Sequence, residues 1–246
     1  MQNVPSISVV MPAYNEAEGI ARVVQDFLAQ PQVSEVVVVD NNSSDGTAEI
    51  AKAAGARVVF ESRQGYGYAC MAALATATSD IIIITESDRT FYAPDVAKFL
   101  AYSEEFDVVF GTRTSKSCIW NGANMTHFLR YGNIAVGKLL EYVHNGPSLT
   151  DVGCTFKLFH RTSLQDLLPL LTVGGSHLGP EIMMICIRSG LRCVEIPVHY
   201  RQRLGTSKIT GSQIRAFRLG CRIIWMILHY RFKRFPHLPS RVTVSL

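Results

Sequence analysis

Several features are missing from this sequence, and each absence excludes a class of protein. The six cysteines include no C-x-x-C pair and no metal-like spacing with histidine, so we expect reduced core cysteines rather than a disulfide framework or a zinc site. The longest apolar run near the C-terminus, 223–228, is far shorter than the roughly 20 residues of a membrane-spanning helix. The N-terminus passes from MQNVPS directly into a predicted strand, so we expect no signal peptide and a cytoplasmic location.

Acidic residues are absent from the C-terminal part of the chain. Residues 196–246 hold 10 Lys and Arg and no Asp or Glu, whereas residues 1–195 hold 14 Lys and Arg against 20 acids. This basic segment on an acidic body favours an anionic membrane surface as a partner. The acidic body and the lack of a known binding motif argue against nucleic acid. Nothing in the sequence indicates the oligomeric state.

Short β-branched runs alternate with helical patterns over the first 110 residues. Strands are predicted at 6–12, 35–40, 56–60 and 80–85, with helices between them. The last of these strands is almost wholly apolar, which is typical of a strand that is buried on both faces. Asn15, with Glu18 three residues later, predicts a capped start for the first helix. The alternation predicts an α/β fold with a parallel, doubly wound sheet.

The second half of the chain is less regular. Strands are predicted at 106–113, 153–160 and 192–200, and helices at 122–144, 178–189 and 212–231. No low-complexity linker and no internal repeat appears. We therefore expect one main domain over residues 1–211 and a basic, amphipathic C-terminal extension over residues 212–246.

Acidic residues follow two of the predicted strands. Asp40 ends the second strand, and Glu86 and Asp88 come directly after the fourth. Because the carboxyl ends of parallel strands line the crevice in which open α/β sheets bind ligands, we expect a nucleotide there. Carboxylates placed in this way could also hold a divalent ion. Mg²⁺ or Mn²⁺ suits oxygen ligands of this kind.

Three segments in this order and spacing, MPAYNEAEGI (11–20), VVVVDNNSSDGT (36–47) and ESD (86–88), resemble the family 2 glycosyltransferases of GT-A fold. Two later motifs, at 151–161 and 200–208, are similar to those of the polyprenyl-phosphate (dolichyl-phosphate) sugar synthases within that family. The resemblance implies a GT-A (Rossmann-like), mostly parallel twisted sheet flanked by helices, followed by the helical extension. It also implies a hexosyltransferase that moves a sugar from a UDP- or GDP-sugar to a polyprenyl phosphate, with inversion and with Mg²⁺ or Mn²⁺.

The resemblance assigns roles to individual residues. The expected catalytic residues are Asp88, Asp151 and Arg113, and the expected metal ligands are Asp88, Glu86 and Thr90. The expected donor-binding residues are Pro12, Tyr14, Glu16, Asp40, Glu86, Ser87 and Asp88. The expected phosphate-binding residues are Arg113, Arg203, Ser207 and Lys208, and the expected acceptor residues are Arg130 and Asn133. The chain departs from the family pattern at Glu86, where Asp is usual, and at Asn41, where a second acid is usual.

The role of Asp151 depends on the acceptor. A phosphate is already an anion, so Asp151 would then orient other groups, whereas a hydroxyl acceptor would need a general base. One alternative is therefore transfer to a hydroxyl of a lipid, glycan or small molecule with Asp151 as base. Another is a non-catalytic, nucleotide-binding membrane module. A sugar nucleotidyltransferase is disfavoured, because residues 11–19 contain no Lys or Arg for a triphosphate.

The predicted helix 212–231 carries the membrane hypothesis. Arg215, Arg218 and Arg222 share one face, and apolar residues that include Trp225 cover much of the rest. This pattern is typical of an interfacial helix on anionic lipid, and it predicts an enzyme that is peripheral to the cytosolic membrane face. A helix that packs on the domain or mediates a dimer is the alternative.

Overall fold

The computed structural model describes residues 5–204 and 213–240. The first half alternates strand and helix as predicted. Its elements are β1 (Ile7–Ala13), α1 (Ile20–Leu28), β2 (Val33–Asp40), α2 (Thr47–Ala53), β3 (Arg57–Phe60), α3 (Tyr66–Thr76) and β4 (Ile81–Ile84). The second half comprises α4 (Val96–Ser103), β5 (Val108–Thr112), α5 (His127–His144), β6 (Lys157–His160), α6 (Arg161–Leu167), α7 (Leu178–Arg188), β7 (Cys193–Pro197) and α8 (Gln213–Tyr230).

The seven strands form one sheet in the order β3-β2-β1-β4-β6-β5-β7. All neighbouring pairs in it are parallel except those that involve β6, which runs antiparallel to both β4 and β5. The expected mostly parallel sheet is thus confirmed. The reversed direction of β6 was not predicted, because apolar periodicity carries no information about strand direction.

Helices cover both faces of the sheet. One core layer holds α1, α2 and α4, and the other holds α3, α5, α7 and α8. The four isoleucines of β4 are buried and divide between the layers, since Ile82 and Ile84 face one and Ile81 and Ile83 face the other. The prediction of a strand buried on both faces is therefore confirmed.

The predicted capped start of the first helix is wrong. Asn15 adopts a left-handed conformation with φ of 54°, and α1 begins only at Ile20 without a side-chain cap. The side-chain Oδ1 of Asn15 instead accepts a hydrogen bond from the backbone N–H of Ser44 at 2.8 Å. The backbone N–H of Asn15 donates to Ser43 Oγ at 3.0 Å. Asn15 therefore ties the loop after β1 to the loop after β2.

Helix α8 packs on the catalytic body. Its residues Ile223, Met226 and Ile227 are buried in the same core layer as α5 and α7, and His144 Nε2 of α5 lies 3.0 Å from the Ile227 carbonyl oxygen. Cys221 of α8 is exposed, contrary to the expectation that all six cysteines belong to the core. None of the helices described is long and apolar enough to span a bilayer.

Candidate active site

A cleft of about 970 Å³ opens at the carboxyl ends of β1, β4 and β5. Ten of the residues assigned to the site from the sequence line it: Pro12, Tyr14, Glu16, Glu86, Ser87, Asp88, Thr90, Arg113, Asn133 and Arg203. Asp40, Asp151 and Arg130 are described but lie outside this lining. Ser207 and Lys208 fall outside the described residues. The structure thus brings most of the predicted site together, because strand ends that are distant in sequence share one edge of the sheet.

Arg203 joins two acids at one end of the cleft. Its Nη1 lies 3.0 Å from Asp88 Oδ2, and its Nη2 donates to Glu16 Oε1. Asp88 Oδ1 accepts from the Thr90 N–H at 3.0 Å and from Thr90 Oγ1 at 2.5 Å. The guanidinium therefore balances two carboxylates, and Thr90 orients Asp88.

Glu86 is held by two hydroxyl groups that the sequence did not single out as site residues. Its Oε1 accepts from Tyr66 Oη at 2.7 Å and from Thr155 Oγ1 at 2.5 Å. Burial, and next the negative charge of Asp88, raise the pKa of Glu86. Tyr66 is the first residue of α3, directly after Gly65. The sequence signal that could have identified Tyr66 is its position, since it is a polar aromatic residue at the start of a helix beside the crevice.

The donor atoms of this cluster fit a divalent cation that also binds the phosphates of a substrate. Within the described part of the chain, no group of three or more His, Cys, Asp or Glu side chains could hold an ion alone. However, Mg²⁺ is commonly held by one or two carboxylates together with substrate phosphates and water. Asp88 and Glu86 supply two carboxylates, and Thr90 adds a hydroxyl oxygen, so the oxygen-only set suits Mg²⁺ or Mn²⁺.

Asp151 is wholly buried and bound to Arg113. Arg113 donates to it from Nε at 2.8 Å, from Nη2 at 2.9 Å and from its backbone N–H at 2.9 Å, and Gly153 N donates at 3.1 Å. Burial alone would raise the pKa of Asp151, but the charge and hydrogen bonds of Arg113 outweigh it and lower that pKa. Glu195 of β7 accepts the Asp151 N–H at 3.0 Å. This geometry suits a residue that orients Arg113 better than it suits a general base, which must reach its substrate.

Asp40 is the last residue of β2, Asn41 follows it, and the two side chains have different hydrogen-bond partners. Asp40 is 5% exposed, and its Oδ1 has no hydrogen-bond partner among the residues described. Asn41 donates from Nδ2 to the carbonyl oxygens of Glu61 and Arg63, both at 2.9 Å, and accepts from Gly65 N at 2.9 Å. A carboxylate could not donate these two bonds, which explains the departure from the family's usual acid at position 41.

Of the two predicted acceptor residues, only Asn133 lines the cleft. A Cβ placed on Gly153 would lie 3.3 Å from Asn133 Oδ1 and 3.0 Å from Arg113 Nη2, so α5 brings Asn133 close to Arg113. Arg130 instead donates from Nε to the Thr114 carbonyl oxygen at 2.7 Å. Arg130 therefore fastens α5 to the segment after β5, and its assignment to acceptor binding stays a prediction.

The cleft continues into an apolar end between three helices. The residues that line it there are Val136 of α5, Leu178 and Ile182 of α7, and Leu219, Ile223 and Ile224 of α8. One cavity thus joins a charged region, with two carboxylates and a guanidinium, to a surface of aliphatic side chains.

Comparison with known families decides the class of enzyme. Residues 8–168 match the description "Glycosyl transferase family 2". The chain belongs to glycosyl transferase family 2. This membership makes the protein a glycosyltransferase, and the non-catalytic alternative is not supported.

Individual relatives agree with the family. The glycosyltransferase is 32% identical over 205 residues to the dolichyl-phosphate hexose transferase of Haloferax volcanii, a match that covers 82% of this chain and 86% of that protein. It is 31% identical over 212 residues to glycosyltransferase AglJ of the same organism, with 85% of this chain and 68% of the relative covered.

A solved structure shows the same fold. Glucosyl-3-phosphoglycerate synthase from Mycobacterium tuberculosis, in complex with Mn²⁺, uridine diphosphate and glucosyl-3-phosphoglycerate, superposes with a TM-score of 0.69. The identity is 22%, and the match covers 92% of this chain and 80% of that one. The likeness concerns the fold, and it confirms the expected GT-A architecture.

Proposed function

We propose that this glycosyltransferase transfers a sugar from a UDP- or GDP-sugar to a polyprenyl phosphate at the cytosolic face of a membrane. The observation that carries the proposal is the single cleft with a charged end and an apolar end. A nucleotide sugar is polar and anionic, whereas a polyprenyl phosphate joins an anionic head to an aliphatic chain. The two regions match these two substrates, and a relative named dolichyl-phosphate hexose transferase supports the lipid acceptor.

The charged end fits the donor. The buried Asp40 Oδ1 without a partner could accept an N–H of the nucleobase, since a buried oxygen is costly unless it is hydrogen-bonded. Asp40 is outside the lining of the cleft, but its neighbour Asn41 lines it together with Glu16 and Tyr14. Arg203, which bridges Glu16 and Asp88, would contact the diphosphate. When bound, a divalent cation held by Asp88 and Glu86 would neutralise charge on the departing nucleoside diphosphate.

The acceptor phosphate needs no base. One of its oxygens forms a bond to the anomeric carbon while the bond from that carbon to the donor phosphate breaks, and the electron pair leaves with the nucleoside diphosphate. Arg113, oriented by Asp151, would hold the acceptor phosphate next to Asn133. Attack from the face opposite the nucleotide gives inversion, as the family resemblance implies.

The outer face of α8 supports a membrane-bound location. We define this outer face by the exposed apolar residues Ile214, Phe217, Trp225 and Leu228 and by the exposed Arg215, Arg218 and Arg222. Its opposite side packs on α5 and α7, so α8 combines domain packing with an exposed amphipathic surface. Aromatic and basic residues on one surface are typical of a helix that binds anionic lipid.

The test of activity is a donor screen. Purified protein would be incubated with Mg²⁺ or Mn²⁺, each common UDP- or GDP-sugar and a short polyprenyl phosphate, and scored for nucleoside diphosphate and glycolipid. We expect release that depends on the acceptor with one donor, and its loss in Asp88→Ala. Donor binding with turnover only on hydroxyl acceptors would contradict the polyprenyl-phosphate proposal and favour the alternative.

The test of membrane binding is flotation with vesicles. We expect the protein to float with vesicles that contain anionic phospholipid, and Trp225→Ser to weaken binding roughly tenfold, since a large apolar side chain contributes about 1.5 kcal/mol or more when buried. Phe60→Ser is the matched control, because Phe60 is an exposed aromatic residue on β3. Equal binding of the wild type to neutral and anionic vesicles would contradict the role of the arginines.

A further inference from the structure

Lys157 is a buried cation that the mechanism above does not use. It is the first residue of β6, it is 1% exposed, and it lines the cleft. Its ammonium donates to the Cys154 carbonyl oxygen. None of the ion pairs among the described residues includes it. The Phe110 ring centroid lies 5.9 Å from Nζ, and the negative charges of Asp151 and Glu195 act on the ammonium without forming an ion pair with it. A carbonyl dipole and a ring are weak partners for a buried charge, so this ammonium lacks an anion at ion-pair distance.

Two other buried charges in the protein have ion-pair partners. Asp151 pairs with Arg113, and Asp95 pairs with Lys98. Buried lysines are rare unless they are paired, because the removal of an ammonium from water is costly. Burial accordingly lowers the pKa of Lys157. An anion that entered the cleft would supply the missing partner.

The position of Lys157 lies between the two halves of the site. In the sheet register, Lys157 pairs with Ile84 on one side and with Phe110 on the other. Ile84 comes two residues before Glu86, and Phe110 comes three residues before Arg113. Lys157 therefore lies between the strand that leads to the proposed metal ligands and the strand that leads to the proposed acceptor arginine.

The start of α7 faces the same ammonium. A Cβ placed on Gly179 would lie 3.8 Å from Lys157 Nζ, so the absence of a side chain at Gly179 leaves space there. Leu178, Gly179 and Pro180 form the first turn of α7 and also line the cleft. The positive end of the helix dipole therefore adds to the charge of Lys157. The next turn carries Ile182, which belongs to the apolar end.

We propose that Lys157 binds the phosphate group of the acceptor from the side of α7, as a second cation beside Arg113. This inference rests on the proposed function, because it takes the anion to be the acceptor phosphate. The donor diphosphate already has Arg203 and the divalent cation that Asp88 and Glu86 would hold. Lys157 instead adjoins the start of α7, the helix that also lines the apolar end. A polyprenyl chain in the apolar end would therefore place its phosphate beside Lys157.

The experiment compares Lys157→Met, Lys157→Arg and the wild type. Met has a similar length and no charge, so it removes the cost of a buried ammonium without leaving an unpaired carboxylate, and the fold should persist. We expect the KM for a short polyprenyl phosphate to rise roughly 10- to 100-fold in Lys157→Met, the range for loss of a charged hydrogen bond. The KM for the donor should stay unchanged, and Lys157→Arg should retain most of the acceptor affinity.

A binding measurement without turnover separates this inference from the proposed function. Farnesyl phosphate should raise the melting temperature of the wild type, farnesol should not, and Lys157→Met should lose the shift. The control is Lys52→Met, which removes an exposed cation on α2. If the shift is present and depends on Lys157 while no sugar reaches any polyprenyl phosphate, the inference stands and the proposed function fails.

Three results would overturn the inference. The first is an unchanged acceptor KM and an unchanged shift in Lys157→Met. The second is a rise in the donor KM alone, which would assign Lys157 to the diphosphate. The third is a loss of stability in both Lys157→Met and Lys157→Arg with unaltered acceptor binding, which would make Lys157 a structural residue.

Discussion

Replacement of Asp151 by Asn should destabilise the fold and weaken acceptor binding, without the catalytic loss expected of a missing general base. Asp151 is fully buried, and Arg113 and Gly153 together donate four hydrogen bonds to it. Removal of one partner from a buried ion pair costs about 3–5 kcal/mol. Because the side chain of Arg113 is 15% exposed and Asn keeps one acceptor oxygen, we expect the lower end, about 3 kcal/mol.

Urea unfolding and thermal melting measure this loss. For a domain of this size, about 1 kcal/mol corresponds to roughly 2–4 °C, so the melting temperature should fall by about 6–12 °C. The matched control is Asp26→Asn, which breaks the surface pair of Asp26 with Arg22 and should cost about 0.5 kcal/mol or less. The double variant Arg113→Met/Asp151→Asn should recover part of the stability, because it leaves no unpaired guanidinium.

Acid titration gives a second measure of the same ion pair. The pKa of Asp151 is lowered in the folded state from an ordinary value of 3.8. The stability that its ionised form contributes is therefore present above the ordinary pKa of 3.8 and is lost as the pH falls through the folded-state pKa. The difference in unfolding free energy between the wild type and Asp151→Asn should narrow in that acid range.

A different outcome would refute this account of Asp151. If Asp151→Asn kept the wild-type unfolding free energy and lost kcat by roughly a thousandfold or more, with a single ionisation removed from the pH profile of kcat, Asp151 would be a general base. The acceptor would then be a hydroxyl group.

Three further predictions concern other parts of the molecule. Asp88→Asn should lower transfer by roughly 10²–10³-fold at saturating Mn²⁺ and abolish the metal dependence of donor binding measured by calorimetry. It should lower the free energy of unfolding in urea less than Asp151→Asn does, because Arg203 keeps Glu16 as a partner. Burial lowers the pKa of His144, so the folded state keeps its imidazole neutral, while the unfolded chain binds a proton below about pH 6.5. The free energy of unfolding should therefore fall as the pH drops from 7 to 5, and His144→Gln should flatten that dependence. Glu181→Gln should lower the free energy of unfolding in urea by about 2–3 kcal/mol, because the buried Glu181 carboxylate accepts hydrogen bonds from Thr172 and from Tyr230 Oη of α8. Tyr230→Phe removes one of these bonds and should lower it by about 1 kcal/mol.

Local patterns were sufficient for the layout of the fold. The apolar run of β4 predicted a strand buried on both faces, and the β-α alternation predicted a mostly parallel sheet. Acids at strand ends predicted a shared crevice, and Asp88 and Glu86 line one cleft, whereas Asp40 lies outside its lining. The family motifs extended this prediction to the class of enzyme. These inferences succeeded because periodicity and strand ends are properties of short segments.

Local patterns failed where one side chain had several plausible partners. Asn15 matched a capping pattern, yet its partners are the backbone N–H of Ser44 and the Ser43 hydroxyl. The assignment of Arg130 to the acceptor stays a prediction, but the bond from its Nε to the Thr114 carbonyl oxygen was not foreseen. A capping or charge motif states only that a residue can form a hydrogen bond, and the surrounding chain selects which bond forms.

The sequence by itself determined the order of strands and helices along the chain, the acids at the strand ends and the family. Only the tertiary structure decided that Arg203 bridges Asp88 and Glu16, the latter 187 positions earlier in the chain. It also decided that β6 runs antiparallel to its neighbours and places Lys157 in the cleft. It also decided that α8 packs on the body and closes the apolar end of the site. The physical reason is that such contacts depend on which distant segments the sheet and its helices bring together, whereas hydrophobic periodicity records only whether each segment is buried.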